Sequence, residues 1–201
     1  MSRALVNRIN KRCYNLFMPV DIRLTYDDLC LLPNDGKRYE IIEGELFVTP
    51  SPISLHQRVV TQLTVELGSF LKRHRLGEVF VSPFDVVFSR YDVVEPDVLF
   101  ISKARSTVLT PKNVQGAPDL VIEVLSKSTR DVDRTIKLKL YARYGVEEYW
   151  VIDPGVPAAQ IYRRGKSGLE RVRALKHRDL LSSPLLPGFS LKLAELVKPR
   201  G

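Results

Sequence analysis

The feature that most constrains this fold is an apolar run, GAPDLVIEVLSKST, that carries an acidic residue in its middle. Residues 119–125 are rich in Val, Ile and Leu, which is typical of a buried strand. Glu123 lies inside that run. An ionised carboxylate in such a place costs several kcal/mol unless a cation or a strong donor meets it. The chain must therefore fold so that other elements bring a partner to Glu123.

The acid nearest to Glu123 in the same strand is a poor partner. Asp119 shares a face with Glu123 but lies two pleats away, about 13 Å at ~3.3 Å per residue, which is too far for one metal ion. Asp97 opens the preceding strand, DVLFI. If the two strands pair, Asp97 and Glu123 converge across a strand spacing of about 4.8 Å. Two such carboxylates predict a site for a hard divalent cation, Mg²⁺ or Mn²⁺.

The helix predicted after Glu123 offers a fixed positive charge. Asp133, Lys137 and Tyr141 recur every four residues, so they line one side of that helix. Lys137 would activate water or stabilise charge during phosphodiester hydrolysis. The alternative is a solvated Asp133–Lys137 pair worth a few tenths of a kcal/mol, with Tyr141 half buried, and the spacing alone favours that alternative.

The order of the predicted elements favours an α/β fold with a mixed β-sheet flanked by helices. A helix is expected from Ser54 to about His74, and Gly145 is expected to end the helix that carries Lys137. Residues 102–117 are expected to form a linker. The remaining segments are predicted as a hairpin through Glu43-Gly44, strands in EVFVSPFDVVFS, VVEPDVLFIS and EYWVID, and a second hairpin in AQIYRRGKSGLERVRAL.

The net charge of +8 is concentrated in two segments. Residues 1–20 contain four basic residues and no acid, and residues 163–178 contain seven basic residues and one acid. We expect a basic N-terminal extension over residues 1–20 and a single domain over residues 21–201. A polyanion such as nucleic acid suits this distribution, although basic residues that only keep a surface soluble explain it equally well.

No targeting or membrane segment is visible in the sequence. No apolar run approaches the roughly 18 residues of a membrane span, and the first residues, MSRALVNRINKRCYN, lack the unbroken apolar segment of a signal peptide. These observations predict a cytoplasmic protein without a membrane partner.

Four motifs together resemble the Uma-type restriction endonuclease family, a branch of the PD-(D/E)XK restriction-endonuclease-like superfamily. They are GELFVTPSPISLHQ, EPDVLFI, APDLVIEVLSKSTRDVDRTIKLKLYARYGVEEYWVIDP and LLPGFSL, and they span roughly residues 24–193. The resemblance implies a nuclease-like core with a magnesium site held by Asp97 and Glu123. The lysine normally found two residues beyond the second acid is replaced by Leu125. The resemblance implies that Lys137, on the following helix, takes its place.

Other residues are weaker candidates for the same site. Glu45 and His56 also match positions of the family, Glu45 as a residue that completes a metal shell and His56 as one that positions Glu45 or a water. A single histidine at a helix start is more often a capping or hydrogen-bonded residue. Contacts with nucleic acid are expected from three basic residues of the second hairpin, Arg163, Arg164 and Lys166.

The function expected from these features is metal-dependent endonuclease hydrolysis of DNA, with Asp97, Glu123 and Lys137 as catalytic residues. The alternative is a catalytically inactive protein that keeps the nuclease fold as a nucleic-acid or protein binding module. A homodimer is expected because cutting two strands needs two sites and two-fold dimers are the commonest assembly.

Overall fold

The computed structural model describes residues 23–126 and 129–197. The basic extension predicted over residues 1–20 lies outside the described residues. Three α-helices occur in the described part: α1 (Tyr26–Leu29), α2 (Ser54–His74) and α3 (Lys137–Tyr144). None of the helices in the described part is long and apolar enough to cross a membrane.

Thirteen strands in the same residues form three sheets. The strands are β1 (Arg38–Ile42), β2 (Glu45–Thr49), β3 (Gly77–Val81), β4 (Val86–Ser89), β5 (Asp92–Val94), β6 (Val98–Ser102), β7 (Val114–Gln115), β8 (Leu120–Val124), β9 (Glu148–Asp153), β10 (Ala158–Gly165), β11 (Gly168–Lys176), β12 (Leu180–Leu181) and β13 (Leu191–Lys192). The larger sheet has the order β11-β10-β9-β8-β6-β3, the second has the order β2-β1-β5-β4-β7, and β12 pairs with β13. Both large sheets are mixed, because β8 and β9 run parallel, as do β4 and β7.

The larger sheet is covered on both faces. Helix α2 packs on one face, against alternate residues of β8 such as Leu120 and Ile122. The other face of β8, which carries Val121, packs against the second sheet and α3. Because side chains alternate along a strand, Glu123 shares the face of Val121. The predicted α/β class, with mixed sheets flanked by helices, is confirmed.

The predicted apolar stripe of α2 is confirmed. Four residues at helical spacing are 5% exposed or less: Val59, Leu63, Leu67 and Phe70. Each such side chain contributes about 1.5–3 kcal/mol by leaving water. The helix ends where Arg75 adopts a left-handed conformation with φ 53°.

Two segments predicted to form strands are each divided between the two large sheets. EVFVSPFDVVFS contains β3 and β4, and VVEPDVLFIS contains β5 and β6. The breaks fall at Pro83 and Pro96, because proline lacks the N–H that a sheet ladder needs. The second break places Glu95 and Asp97 where the chain crosses from one sheet to the other.

Residues 102–117, expected to form a linker, also contain regular structure. A 3₁₀ turn spans Lys103–Val108, and β7 follows it in parallel with β4. Two turn glycines behave as predicted. Gly44 adopts φ 85° in the β1–β2 hairpin, and Gly145 adopts φ 90° where it ends α3.

Candidate active site

Asp97 and Glu123 meet because β6 and β8 pair. The antiparallel register aligns Val98 with Ile122, which places the two acids next to each other at one end of the ladder. The Asp97 amide donates to Glu123 Oε2 at 3.4 Å, and the Val124 amide donates to Asp97 Oδ2 at 2.8 Å. Asp97 is 3% exposed and Glu123 is 1% exposed. The predicted convergence of these carboxylates is therefore confirmed.

The partner of Glu123 is Lys137. Its Nζ lies 3.0 Å from Glu123 Oε1, 2.9 Å from Glu40 Oε1 and 3.5 Å from Asp133 Oδ1. A π-helical turn over Val132–Ile136 leads into α3 and delivers Lys137 to this position. Burial acts to lower the pKa of Lys137, but the three carboxylates outweigh it and raise that pKa above its ordinary value. Lys137 therefore carries a fixed positive charge.

The interpretation of Asp133 and Lys137 as a solvated pair is wrong. Both side chains are only 2% exposed, because α3 lies against the larger sheet instead of facing solvent. Tyr141 is fully buried rather than half buried. Its hydroxyl donates to Glu123 Oε1 at 2.8 Å, so the whole predicted stripe of this helix faces the acids.

Asp97 is held by two residues from other elements. Arg38 Nη1 lies 2.6 Å from Oδ1, and His56 Nε2 lies 3.0 Å from Oδ2. Burial alone would raise the pKa of Asp97, but the His56 hydrogen bond and the Arg38 charge lower it to about 2. His56 was a predicted accessory residue and does contact the acid pair, although through Asp97 and not through Glu45. Sequence analysis did not identify Arg38.

Glu40, and not the predicted Glu45, contacts Lys137 beside the acid pair. Glu40 Oε1 accepts from Lys137 and from the Glu95 amide at 2.9 Å. Glu45 is exposed on β2 and lines a separate cavity of about 200 Å³ with Lys139 and Arg143. The sequence did contain a signal for Glu40, because it precedes Ile41 and Ile42 in a strand as an acid among apolar residues, the same pattern that singled out Glu123.

The acid cluster around Lys137 and Arg38 contains more acidic than basic groups, and burial raises the pKa of several of these acids. Burial raises the pKa of Glu123 to about 8 even though Lys137 lowers it. Burial, with repulsion from Asp85 and Glu40, raises the pKa of Glu95 to about 7. The cluster contains two fixed cations, Arg38 and Lys137, and five carboxyl groups, those of Glu40, Glu95, Asp97, Glu123 and Asp133.

The remaining acceptor capacity of these acids fits a hard cation. Each carboxylate oxygen accepts about two hydrogen bonds. Among the described residues, Asp97 Oδ1 accepts from Arg38 alone, and Glu123 Oε2 accepts from the Asp97 amide alone. Glu95 Oε2 is buried and has no hydrogen-bond partner in the described part of the chain. Carboxylate oxygens of this kind are the ligands that Mg²⁺ prefers. Within residues 23–126 and 129–197, however, no group of three or more His, Cys, Asp or Glu side chains is arranged so that it could hold a metal ion.

A cavity of about 420 Å³ opens onto one side of this cluster. Four members of the network line it: Arg38, His56, Glu95 and Asp97. Helix α1 and the turn before β1 supply much of the opposite wall, including Tyr26, Leu29 and Pro33. Asp97 lines this cavity, whereas Glu123 and Lys137 are not among the residues that line it.

The raised pKa of Glu95 makes stability depend on pH. In metal-free protein we expect the melting temperature to fall as the pH rises from about 4.5, the ordinary pKa of the group, to about 7, its value in the folded protein. In that window the folded state holds a proton that the unfolded state has released, so raising the pH favours unfolding. Differential scanning calorimetry with a chelator measures the slope. Glu95→Gln should reduce the slope and Glu45→Gln should not, and equal slopes in wild type and Glu95→Gln would contradict the pKa of Glu95.

The three basic residues predicted to contact nucleic acid occupy different environments. Arg163 Nε lies 3.3 Å from Glu148 Oε2. Arg164 Nη2 donates to the carbonyls of Ala142 at 2.9 Å and Val146 at 3.0 Å, where α3 ends. Lys166 is exposed at the turn between β10 and β11. Both arginines therefore already bind groups of this protein, and Lys166 is the most accessible of the three to a phosphate.

Comparison with known proteins gives one family and one shared fold. A family model described as "Uma2: Putative restriction endonuclease" matches residues 25–194. No curated protein matches the sequence. Five chains among the solved structures match, and one is a crystal structure of a "putative nuclease belonging to DUF820" from Anabaena variabilis. That match has 22% sequence identity and a TM-score of 0.73, and it covers 87% of this chain and 97% of the other.

Proposed function

This chain belongs to the Uma2 family, described as putative restriction endonucleases, and from that premise we propose that it is a metal-dependent nuclease that hydrolyses phosphodiester bonds in DNA. The observation that carries the proposal is the pairing of two buried carboxylates, Asp97 and Glu123, with a buried lysine against the second of them. A purely structural role does not explain an excess of buried acidic groups beside an open cavity, because buried acids lower the stability of the folded protein.

Asp97 and Glu123 would hold the cation, which we propose to be Mg²⁺ or Mn²⁺. Glu95 is a further candidate ligand, because its buried Oε2 has no hydrogen-bond partner in the described residues. When bound, the cation supplies positive charge that polarises the phosphodiester group. Asp97 Oδ1, Glu123 Oε2 and Glu95 Oε2 are its proposed attachment points, because each keeps acceptor capacity among the described residues.

Lys137 would act on the site through Glu123. Its side chain is 2% exposed and its Nζ is bonded to carboxylates, so its charge keeps Glu123 oriented and favours its ionised form. His56 and Arg38 do the same for Asp97, whose pKa lies at about 2. These residues hold both acids in place and limit the reorganisation that binding and reaction would require.

DNA is proposed as the substrate because the chain carries a net charge of +8 and a basic hairpin. Phosphate neutralisation by Lys and Arg supplies most of the non-specific affinity of such proteins. Lys166 is the proposed contact on that hairpin. Arg163 and Arg164 would contribute mainly by shaping the surface around it, since both are bonded within the protein.

The test is cleavage of supercoiled plasmid, single-stranded DNA and single-stranded RNA by purified protein. We expect cleavage of DNA with Mg²⁺ or Mn²⁺ and none with a chelator. Asp97→Asn tests whether the activity belongs to this site and not to a contaminating nuclease, and Asp131→Asn, at an exposed position, is its matched control. A protein that cleaves no substrate with either metal, or a chelator-resistant activity, would refute the proposal.

A binding module without turnover is the second candidate, and one observation favours it. Both oxygens of Asp97 are already engaged by protein donors, and Lys137 is enclosed by three acids. Such a network would hold the fold together even without a metal. The plasmid assay separates the candidates when it is combined with a gel-shift measurement, because the binding module shifts DNA in Mg²⁺ buffer and leaves it intact.

Metal should also stabilise the folded protein. We expect Mg²⁺ or Mn²⁺ to raise the melting temperature, because a ligand that binds only the folded state stabilises it by mass action, by about 2.7 kcal/mol at a hundred times its Kd. The increase should be much smaller in Asp97→Asn and should persist in Asp131→Asn. Scanning calorimetry across a metal titration measures both. Equal increases in all three proteins would place the metal elsewhere.

A homodimer remains a prediction from the chemistry of double-strand cutting. Light scattering at the concentrations used for cleavage tests it. A monomer that cuts both strands of a plasmid would contradict the dimer, without affecting the assignment of the site.

A further inference from the structure

Two arginines share one buried carboxylate at the end of β9. Arg130 Nη1 lies 2.7 Å from Asp153 Oδ2, and Arg134 Nη2 lies 3.7 Å from the same oxygen. Asp153 is 4% exposed, and its other oxygen accepts from the Gly155 amide at 3.1 Å. We call Arg130 and Arg134 the arginine pair. Two cations beside one anion give this group one positive charge in excess, which an ion pair that only anchored the helix would not need.

The arginine pair lies at the same edge of the larger sheet as the acid cluster. β8 and β9 run parallel, with Val124 aligned with Ile152, so Asp153 lies at the carboxyl end of both strands. Glu123 and Asp153 share a face because side chains alternate along a strand. One strand spacing of ~4.8 Å and two residues of ~3.3 Å separate their Cα atoms by roughly 8 Å. Ligands of open α/β sheets bind outside the carboxyl ends of the strands, where this pair lies.

The pair is accessible from solvent and is held in one orientation. The side chains of Arg130 and Arg134 are 41% and 35% exposed. In the described part of the chain, Asp153 is the only hydrogen-bond partner of the Arg130 guanidinium group, which has five N–H donors. Arg134 Nε is buried, so its outer nitrogens are the ones that a ligand would contact. An anion can therefore bind the exposed side of the pair while Asp153 stays in place.

The basic turn of the second hairpin lies too far from the acids to serve the same purpose. β10 runs antiparallel to β9 and aligns Arg163 with Glu148. The turn that carries Lys166 is therefore roughly 20 Å from Asp153, at ~3.3 Å per residue. A phosphate near the acids needs cations close by, because the carboxylates repel it. The arginine pair supplies them, and the planar fork of arginine matches two phosphate oxygens at once.

We propose that the arginine pair, oriented by Asp153, binds a backbone phosphate of DNA close to the one that is cleaved. A separation of roughly 8 Å from Glu123 corresponds to about two nucleotides, since the phosphates of one strand follow every ~3.4 Å along the helix axis. Such a contact fixes the position of the strand and does not read its sequence. The inference deepens the proposed function and rests on it for DNA as the substrate and for cleavage at Asp97 and Glu123.

The test measures binding separately from cleavage. Fluorescence anisotropy gives the affinity for a labelled duplex oligonucleotide at several salt concentrations, in chelator and again with Ca²⁺. The double variant Arg130→Met with Arg134→Met should bind about tenfold more weakly, because charge-assisted hydrogen bonds are lost. Its slope of log affinity against log salt should be shallower by about 0.9, the value for one phosphate contact on a duplex. Replacing both arginines by lysine should keep the wild-type slope, because both charges remain, and weaken binding only severalfold.

Arg143→Met is the matched control. Arg143 also pairs with a single carboxylate, that of Glu43, and its side chain is 52% exposed. It lies in the last turn of α3, near the start of β9 and so at the opposite end of that strand from Asp153. Its substitution should change neither affinity nor salt slope. Circular dichroism and melting curves establish which variants fold, and Arg130→Met alone carries the comparison if the double variant does not.

The outcomes separate the inference from the proposed function. In cleavage assays the Met double variant should show a raised KM with kcat little changed, because the contact holds the strand and takes no part in the chemistry. If the variants lose affinity and salt slope as expected while wild type never cleaves, the nuclease proposal fails and the phosphate contact stands. Wild-type affinity and slope in the folded Met variant, an equal loss in Arg143→Met, or no DNA binding by wild type in either buffer overturns the inference.

Discussion

Glu123→Gln should remove cleavage while leaving the protein folded. Glutamine keeps the shape of the side chain but has no negative charge to offer a cation, so we expect the rate to fall by at least about a hundredfold, as it does when one group that stabilises a transition state is lost. The fold should survive, because Lys137 keeps the Glu40 and Asp133 carboxylates as partners. Burial already raises the pKa of Glu123 to about 8, so a neutral residue suits the unligated site.

Two measurements on the Glu123→Gln variant separate an effect on catalysis from an effect on stability. Single-turnover cleavage with Mg²⁺ should drop, and the melting temperature in chelator should be equal to or higher than that of wild type. Glu45→Gln is the matched control, because Glu45 is exposed and should change neither quantity. Full cleavage by Glu123→Gln would exclude Glu123 from the catalytic site, and loss of cleavage by Glu45→Gln would restore Glu45 as a member of it.

Lys137→Met should destabilise the protein by about 3–5 kcal/mol at neutral pH, because removing one member of a buried ion pair leaves the other charges uncompensated. This is far more than the few tenths of a kcal/mol expected of a solvated pair. The reason is burial, since Lys137 and its three carboxylate partners are each 3% exposed or less. Urea denaturation measures the free energy of unfolding, and Lys139→Met, on the exposed side of the same helix, should cost little.

A double variant identifies the cause of that loss. Lys137→Met combined with Glu123→Gln removes the lysine together with one of the carboxyl groups that it leaves without a partner, so part of the lost stability should return. The deficit of Lys137→Met should also shrink as the pH is lowered, because the carboxyl groups it leaves behind become protonated. A Lys137→Met protein as stable as wild type at neutral pH would contradict the buried ion cluster.

Much of the secondary structure could be predicted from local patterns. The apolar stripe of α2 follows a helical period, and burial of that stripe is a direct consequence. Gly44 and Gly145 mark chain reversals where positive φ is needed. The two segments that are divided at a proline show what such local patterns cannot predict. A Val-rich run around Pro83 or Pro96 indicates a strand on each side of the proline, but it does not indicate that the two strands join different sheets.

The central acid pair follows from local sequence patterns. An acid in a buried strand and an acid opening the neighbouring strand need only one antiparallel pairing to meet, and the strand period decides which faces they share. The same local rule applied to β1 would have identified Glu40. The family resemblance identified Lys137, where helical spacing alone favoured a surface pair.

The surroundings of that pair depend on how distant elements of the fold pack together. Arg38 and Glu40 come from the second sheet, His56 from α2 and Lys137 from α3, and no spacing in the sequence records how those elements pack against β6 and β8. Their packing decides the charge balance, buries Glu123 so that its pKa rises, and brings His56 and Arg38 to Asp97 so that its pKa falls. It also leaves Arg38, and not Lys137, facing the cavity. Burial and electrostatics act through distance in space, so these properties arise only once the two sheets and the helices have packed together.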